Sequence, residues 1–280
     1  FGAKITFVGP QNETAIAEQL EQLNNAINKN PDAIALAALD TESELDAIKQ
    51  AQAKNIPLIG FDSGVPGAPD GAIKATASTD NHAAGANAAE HLFPLLEKKL
   101  GDKPIRIGVV SQEANSLSIT QRTSGFIDKM VELLEKKGIK TAVVGHDKFK
   151  NNVSESDAKA IIEVRVPAQV DDAAGKTEAS TVLEKSDTVA IYGSNEFAAK
   201  AIINANGSFK ESKLGADKIL AVGFDSGALQ QDAIRNGLFV GSVTQDPIQI
   251  GYQSVKLAIE AAQGKEVKDV DTGSKWYDAK

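Results

Sequence analysis

The pentapeptide Gly-Phe-Asp-Ser-Gly occurs twice, at residues 60–64 and 223–227, each time directly after an apolar run, Ile56-Pro57-Leu58-Ile59 and Ile219-Leu220-Ala221-Val222. A buried parallel strand reads as a short Val/Ile/Leu-rich run stopped by glycine, so each copy places a carboxylate at the C-terminal end of a strand. That end is where open α/β sheets bind ligands. The copies lie one ordinary domain length apart, which predicts two similar α/β lobes, each offering an Asp to a shared cleft.

The rest of the chain alternates accordingly. A strand over residues 3–10 precedes an amphipathic helix at 14–27 and a strand at 33–37. A helix at 45–54 follows the capping-box-like Thr41-Glu42-Ser43-Glu44 and leads into the first pentapeptide strand. A short strand at 76–79 and a long helix at 81–100 come next. The pattern restarts with a strand at 105–110, a helix at 119–137 stopped by Gly138, and a strand at 140–145. Residues 146–176 are less regular and include an apolar run at 160–167 that offers an extra strand. A helix at 177–183, a strand at 188–192 and a helix at 196–204 precede the second pentapeptide strand. A helix at 228–236, a strand at 238–243 and a helix at 248–263 end in a short tail.

Such alternation implies parallel sheets covered by helices. We expect two Rossmann-like lobes, residues 1–79 plus 246–263 and residues 80–245 plus 264–280, with several chain crossings that suit hinge motion.

At 280 residues and 42% hydrophobic, the chain can bury two ordinary cores. A net charge of −8, with Arg106, Arg122, Arg165 and Arg235 as the only arginines, gives no surface that could neutralise many phosphates, so nucleic acid is not an expected partner. The absence of cysteine removes disulfides, thiolate nucleophiles and Cys-ligated metals. His82, His91 and His146 have no metal-ligand spacing, and no nucleophile elbow, P-loop or dinucleotide fingerprint occurs. No enzymatic activity, cofactor or metal is expected. No apolar run approaches the ~20 residues of a membrane span, and the N-terminus has no signal-peptide features, which an exported chain would already have lost.

Polar side chains recur just past the predicted strand ends: Asp62, Asn195, Asp225 and Gln245. Carboxylates and amides present acceptors and donors in fixed planes, which suits a ring of sugar hydroxyls. Taken singly, each could equally be a turn or helix-cap residue. Arg122 stands on a helix otherwise stocked with lysine. Its planar fork could hold two vicinal oxygens or pair with one of the carboxylates, or it could be a surface charge.

With these residues in place, the chain resembles the periplasmic sugar-binding proteins of bacterial ABC transporters, the type I class that includes ribose- and galactose-binding proteins. The matching stretches are Gly60-Phe61-Asp62, Ser78-Thr79-Asp80-Asn81, Gln121-Arg122-Thr123-Ser124-Gly125-Phe126, Gly193-Ser194-Asn195-Glu196, Gly223-Phe224-Asp225 and Thr244-Gln245-Asp246-Pro247. The resemblance implies a monomeric binding protein, periplasmic or extracellular and lipid-anchored, that captures a monosaccharide or similar polyol, closes by hinge motion and delivers it to a membrane permease. It further implies ligand contacts from Asp62, Arg122, Asn195, Asp225 and Gln245. Ser63 stands in the ligand-binding set where ribose binders carry a second Arg, which argues against ribose. Val170 falls about where an aromatic often stacks on the sugar, leaving Phe197 and Trp276 as substitutes.

The family's first strand, ligand loop and helix have no counterpart. The first lobe is therefore expected to be completed by a segment outside this sequence, or else to pair residues 3–8 directly with 33–37. The alternative is the effector-binding core of a LacI-type sugar-responsive repressor, which shares the fold and dimerises.

Overall fold

Both apolar runs ahead of the pentapeptides are strands in the computed structural model, which describes residues 2–280. In chain order the elements are α1 (Ile16–Asn28), β1 (Ile34–Leu36), α2 (Leu45–Ala53), β2 (Leu58–Phe61), β3 (Ile73–Ser78), α3 (Asn81–Leu96), β4 (Ile105–Val110), α4 (Leu117–Lys136) and β5 (Thr141–Val144). There follow β6 (Ala160–Arg165), α5 (Asp172–Leu183), β7 (Thr188–Gly193), α6 (Glu196–Asn206), β8 (Leu220–Phe224), α7 (Ala228–Arg235), β9 (Phe239–Gln245), α8 (Pro247–Ala262), β10 (Val270–Asp271) and β11 (Ser274–Tyr277).

The chain divides into two units. The first runs to Asp80 and takes in Asn115–Ser118 and Gln245–Gly273; the second holds Asn81–Ala114, Ile119–Thr244 and Ser274–Lys280.

The first unit is a four-stranded parallel sheet in the order β1-β2-β3-β10. Successive side chains of a strand point to opposite faces. Leu58 therefore joins Leu23, Ile27, Ile34, Leu36 and Ile48 under α1 and α2, while Ile59 joins Ala75, Ala77, Leu257 and Ala261 under α8. Each fully buried Leu or Ile contributes roughly 1.5–3 kcal/mol.

The second unit is a seven-stranded sheet in the order β11-β9-β8-β7-β4-β6-β5. Helices α3 and α4 cover one face, where Phe126, Met130, Tyr192 and Phe224 pack; α5, α6 and α7 cover the other, around Val182, Ile191 and Ile202. Helices α3 and α4 cross with backbones almost touching. A Cβ at Gly85 would overlap the Arg122 carbonyl, and one at Gly125 would overlap that of His82. Only glycine at both positions permits that approach, and it sets Arg122 beside the start of α3.

Several expectations need correction. Residues 3–10 form no strand, and Ile5, Phe7 and Val8 stand 64%, 86% and 58% exposed. Apolar alternation makes a strand only where a neighbouring edge takes up the backbone groups, and β1 pairs with β2 but not with residues 3–8. Residues 264–273 belong with the first unit rather than the second, because Val270 and Asp271 pair with Ala77 and Ser78 of β3. The tail also forms β11, an edge strand beside β9. The apolar run at 160–167 does supply an extra strand: Ala160–Arg165 form β6, seated between β4 and β5 and paired residue by residue with β4. Thr41 caps nothing. Asp40 Oδ1 instead accepts from the Glu42 and Ser43 N–H groups, and Glu44 occupies the cap position of α2.

Candidate functional site

In the second unit, the strand-end residues converge on Asp225. Its φ of 71° lies in the left-handed region, which costs an L-residue roughly 1–2 kcal/mol and which Asp tolerates better than most. Four bonds hold it there. The Asp225 N–H donates to Val243 O at 2.7 Å, and the Asp225 carbonyl accepts from Ser242 Oγ at 2.8 Å, Tyr277 Oη at 2.9 Å and Gln230 Nε2 at 3.3 Å. The backbone is thus fixed by β9, α7 and the C-terminal strand, and the side chain is aimed by that constraint. Its Oδ2 accepts from the Glu196 N–H at 3.2 Å, at the positive end of α6, where a carboxylate is favoured.

Arg122 is no surface charge; it is 4% exposed. Its guanidinium lies 4.3 Å from the Phe224 ring centroid, its Nε donates to Asn81 Oδ1 at 2.8 Å, and its Nη1 faces Asp225 Oδ2 at 3.8 Å. A cation over an aromatic face, with a buried amide oxygen on its Nε, has the plane of its guanidinium fixed.

Asn195 is the N-cap of α6. Its Oδ1 accepts from the Ala198 N–H at 2.9 Å and its Nδ2 donates to Gln112 Oε1 at 2.6 Å, so both ends of this amide carry structural bonds.

In the first unit, Asp62 repeats the same device. Its φ is 58°, and its N–H donates to Ala77 O at the end of the neighbouring strand, 3.0 Å away. The next residue closes back: Ser63 N–H donates to Phe61 O at 2.6 Å, which makes a γ-turn of the strained, positive-φ form. Ser63 is 5% exposed, and its Oγ accepts from the Ser118 N–H at 3.2 Å. Gln245 ends β9, and its Oε1 accepts from Thr79 Oγ1 at 2.9 Å.

Arg122, Asn195 and Asp225 therefore belong to one unit, and Asp62, Ser63 and Gln245 to the other. Sequence reasoning missed the residues that aim them. Asn81 belongs to the family-like stretch Ser78-Thr79-Asp80-Asn81 but has no signal of its own, while Ser242, Gln230 and Tyr277 give none, because bonds to a main-chain carbonyl leave no sequence pattern. Neither aromatic substitute is a bare platform. Phe197 packs against Gly175 of α5, and Trp276 covers Gly241 and stacks on His91 with centroids 4.5 Å apart. Among the described residues no group of His, Cys, Asp or Glu is placed to hold a metal ion.

A family model described as a periplasmic binding protein domain matches residues 1–266. The chain belongs to that family. Among relatives, the D-allose-binding periplasmic protein of Escherichia coli (strain K12) is 24% identical over 275 residues, a match covering 96% of this chain and 78% of that protein. A solved structure named as an ABC transporter, LacI family transcriptional regulator, from Brachyspira murdochii is 38% identical, with a TM-score of 0.81 over 99% of this chain and 85% of that one. An ABC transporter solute-binding protein from Agrobacterium vitis, solved with bound D-fucose, is 27% identical, with a TM-score of 0.78 over 98% of this chain and 84% of that one. The two-sheet α/β architecture is that of the type I periplasmic binding proteins. The family is one of binding proteins, not of enzymes.

Proposed function

We propose that the chain is the substrate-binding component of an ABC sugar importer and that it holds a monosaccharide or similar polyol by the strand-end residues Asp62, Asp225 and Arg122, with Ser63, Asn195 and Gln245 in support. The observation that carries this reading is the Arg122–Asp225 pair. A buried guanidinium and a strained, backbone-locked carboxylate sit 3.8 Å apart at the C-terminal edge of a parallel sheet, where ligands bind such folds. Together they supply donors and acceptors in fixed planes, the chemistry of vicinal hydroxyls, and a wrong sugar would leave them unpaired. Asn195 and Ser63 act by positioning, since their bonds lie within the protein.

Hinge closure, delivery to a permease, a monomeric state and a periplasmic or lipid-anchored extracellular location belong to the same proposal. The family description and the relatives' names support the periplasmic location, and relatives named as import binding proteins or ABC transporter solute-binding proteins support delivery to a permease. Melting temperatures of the chain with D-ribose, D-allose and D-fucose test it, because a ligand at 100 times its dissociation constant adds roughly 2.7 kcal/mol. At least one sugar of such a panel should raise the melting temperature, and a flat panel extended to hexoses and inositols would refute the reading. The name of the Brachyspira structure favours one second reading, the core of a sugar-responsive repressor. Light scattering separates the two: a dimer supports the repressor, a monomer the transporter component.

A further inference from the structure

The buried group that the ligand reading leaves unused is the hydroxyl of Tyr192. Tyr192 lies in β7, three residues before Asn195, and its ring stacks on Phe126 with centroids 4.2 Å apart and planes 12° from parallel. The ring is wholly buried and shares a core with Phe224, over which Arg122 lies. The Tyr192 hydroxyl is buried and has no hydrogen-bond partner. Phe126, its stacking partner, lies one turn of α4 after Arg122, and Val222, its register partner in β8, lies two residues before Phe224, so the ring belongs to the same corner as the pair. Burial holds its pKa well above the usual tyrosine range, with Arg122 pulling it down and Asp225 pushing it up.

An unpartnered buried hydroxyl forfeits the hydrogen bond it would make in water. Phenylalanine would fill the same stacked position against Phe126 without that cost. The half-buried phenol of Tyr277, by contrast, does bond, to the Asp225 carbonyl. The Arg122–Asp225 separation of 3.8 Å exceeds hydrogen-bond length, so the pair can tighten or part without breaking a direct bond between its members.

We infer that the Tyr192 hydroxyl is a ligand-responsive specificity element: a sugar hydroxyl engaging Arg122 and Asp225 shifts that pair, and the phenol then donates to the carboxylate or to the sugar oxygen. The inference rests on the sugar-binding reading and deepens it. A sugar that moves the pair recovers the phenol's hydrogen bond, and a sugar that does not leaves it unpaired, so the group discriminates between polyols of similar size.

The test is Tyr192→Phe, compared with wild type using whichever of D-ribose, D-allose and D-fucose stabilises the wild type most. The variant should melt about 2–4 °C higher without sugar, because an uncompensated group is gone. It should bind that sugar about fivefold to tenfold more weakly in calorimetry, because the hydrogen bond gained on binding is gone as well. Affinity within about twofold of wild type, or a lower melting temperature without sugar, overturns the inference. Should the variant fail to fold, the tyrosine Raman doublet of the wild type decides. One of the three tyrosines must change hydrogen-bonding state when the sugar is added, and an unchanged doublet overturns the inference. A wild type that no sugar stabilises refutes the sugar-binding reading itself, whereas normal binding by Tyr192→Phe refutes only the role of the hydroxyl.

Discussion

The two copies of the pentapeptide share one backbone device and differ in what surrounds it. In both, the Asp has positive φ and sends its N–H to the carbonyl at the end of the next strand, Ala77 or Val243. Around Asp225 the carbonyl is gripped by Ser242, Tyr277 and Gln230, the preceding Phe224 is fully buried, and a guanidinium lies on that ring. Around Asp62 the turn closes on itself through Ser63 and Phe61, and Phe61 is only partly buried. The same five residues thus give a corner whose Asp carbonyl is held by three side chains in one unit and a turn closed by its own backbone in the other. Five residues specify the turn, but the neighbours decide how firmly it is held.

Buried charge follows the same division. In the second unit Arg106, 8% exposed, bonds to Glu163 at 2.6 Å and to Asp187 at 3.1 Å, with Lys185 also on Glu163 at 2.6 Å. In the first unit Glu44 is wholly buried and both its carboxylate oxygens are unpartnered. Burial pushes its pKa up to about 7, its own backbone N–H pulls it down by less, and Asp40 adds a smaller push upward.

The largest expected effect tests the paired side of this contrast. Arg106→Met should cost about 3–5 kcal/mol in denaturant unfolding, because it strands the buried Glu163 carboxylate with one fewer partner. A loss below about 1 kcal/mol would show the network to be dispensable.

Glu44 tests the unpaired side. Its folded pKa exceeds the unfolded value of 4.5, so the folded state holds the proton more tightly. Its contribution is therefore most favourable below pH 4.5, falls as pH rises through about 7, and is flat above. That amounts to about 3 kcal/mol between pH 4 and pH 8. Glu44→Gln should remove this slope from a stability-against-pH curve, and a slope that persists in the variant would place its origin elsewhere.

The smallest effect compares the pentapeptides themselves. Alanine lacks the side chain that eases Asp into the left-handed region, so Asp62→Ala and Asp225→Ala should each lose about 1 kcal/mol of stability. Asp62→Gly and Asp225→Gly should lose less. Equal stability of the Ala and Gly variants would mean that the positive φ carries no strain.

What could be read from the sequence follows the range of the interactions. Leu58, Ile59, Val222 and the glycine after each run are local signals, and the strands, their parallel arrangement and the Asp at each end were legible from them. Residues 3–8 carry the same local signal and form no strand, since pairing is a property of the partner edge. The lone Arg122 was visible as an oddity, but its burial depends on Gly85 and Gly125, whose meaning appears only when two helices cross. Tyr277 lay in what read as a tail. Its bond to Asp225 spans 52 residues and leaves no periodicity. Asn195 was visible as a strand-end amide, but its cap on the first turn of α6 and its bond to Gln112 depend on neighbours that the sequence does not order.

The central claim is that the repeated strand-end carboxylates and Arg122 form the sugar-binding groups. Calorimetric titration of the most stabilising sugar into wild type, Asp62→Asn, Asp225→Asn and Arg122→Lys tests it most directly. Asparagine keeps the shape and the tolerance for positive φ while removing the charge, and lysine keeps the charge while removing the planar fork. The account predicts that Arg122→Lys weakens binding by roughly 1.5–3 kcal/mol and that both Asp→Asn variants weaken it by about 1 kcal/mol or more, with melting temperatures near that of wild type without sugar. Wild-type affinity in all three variants would contradict it.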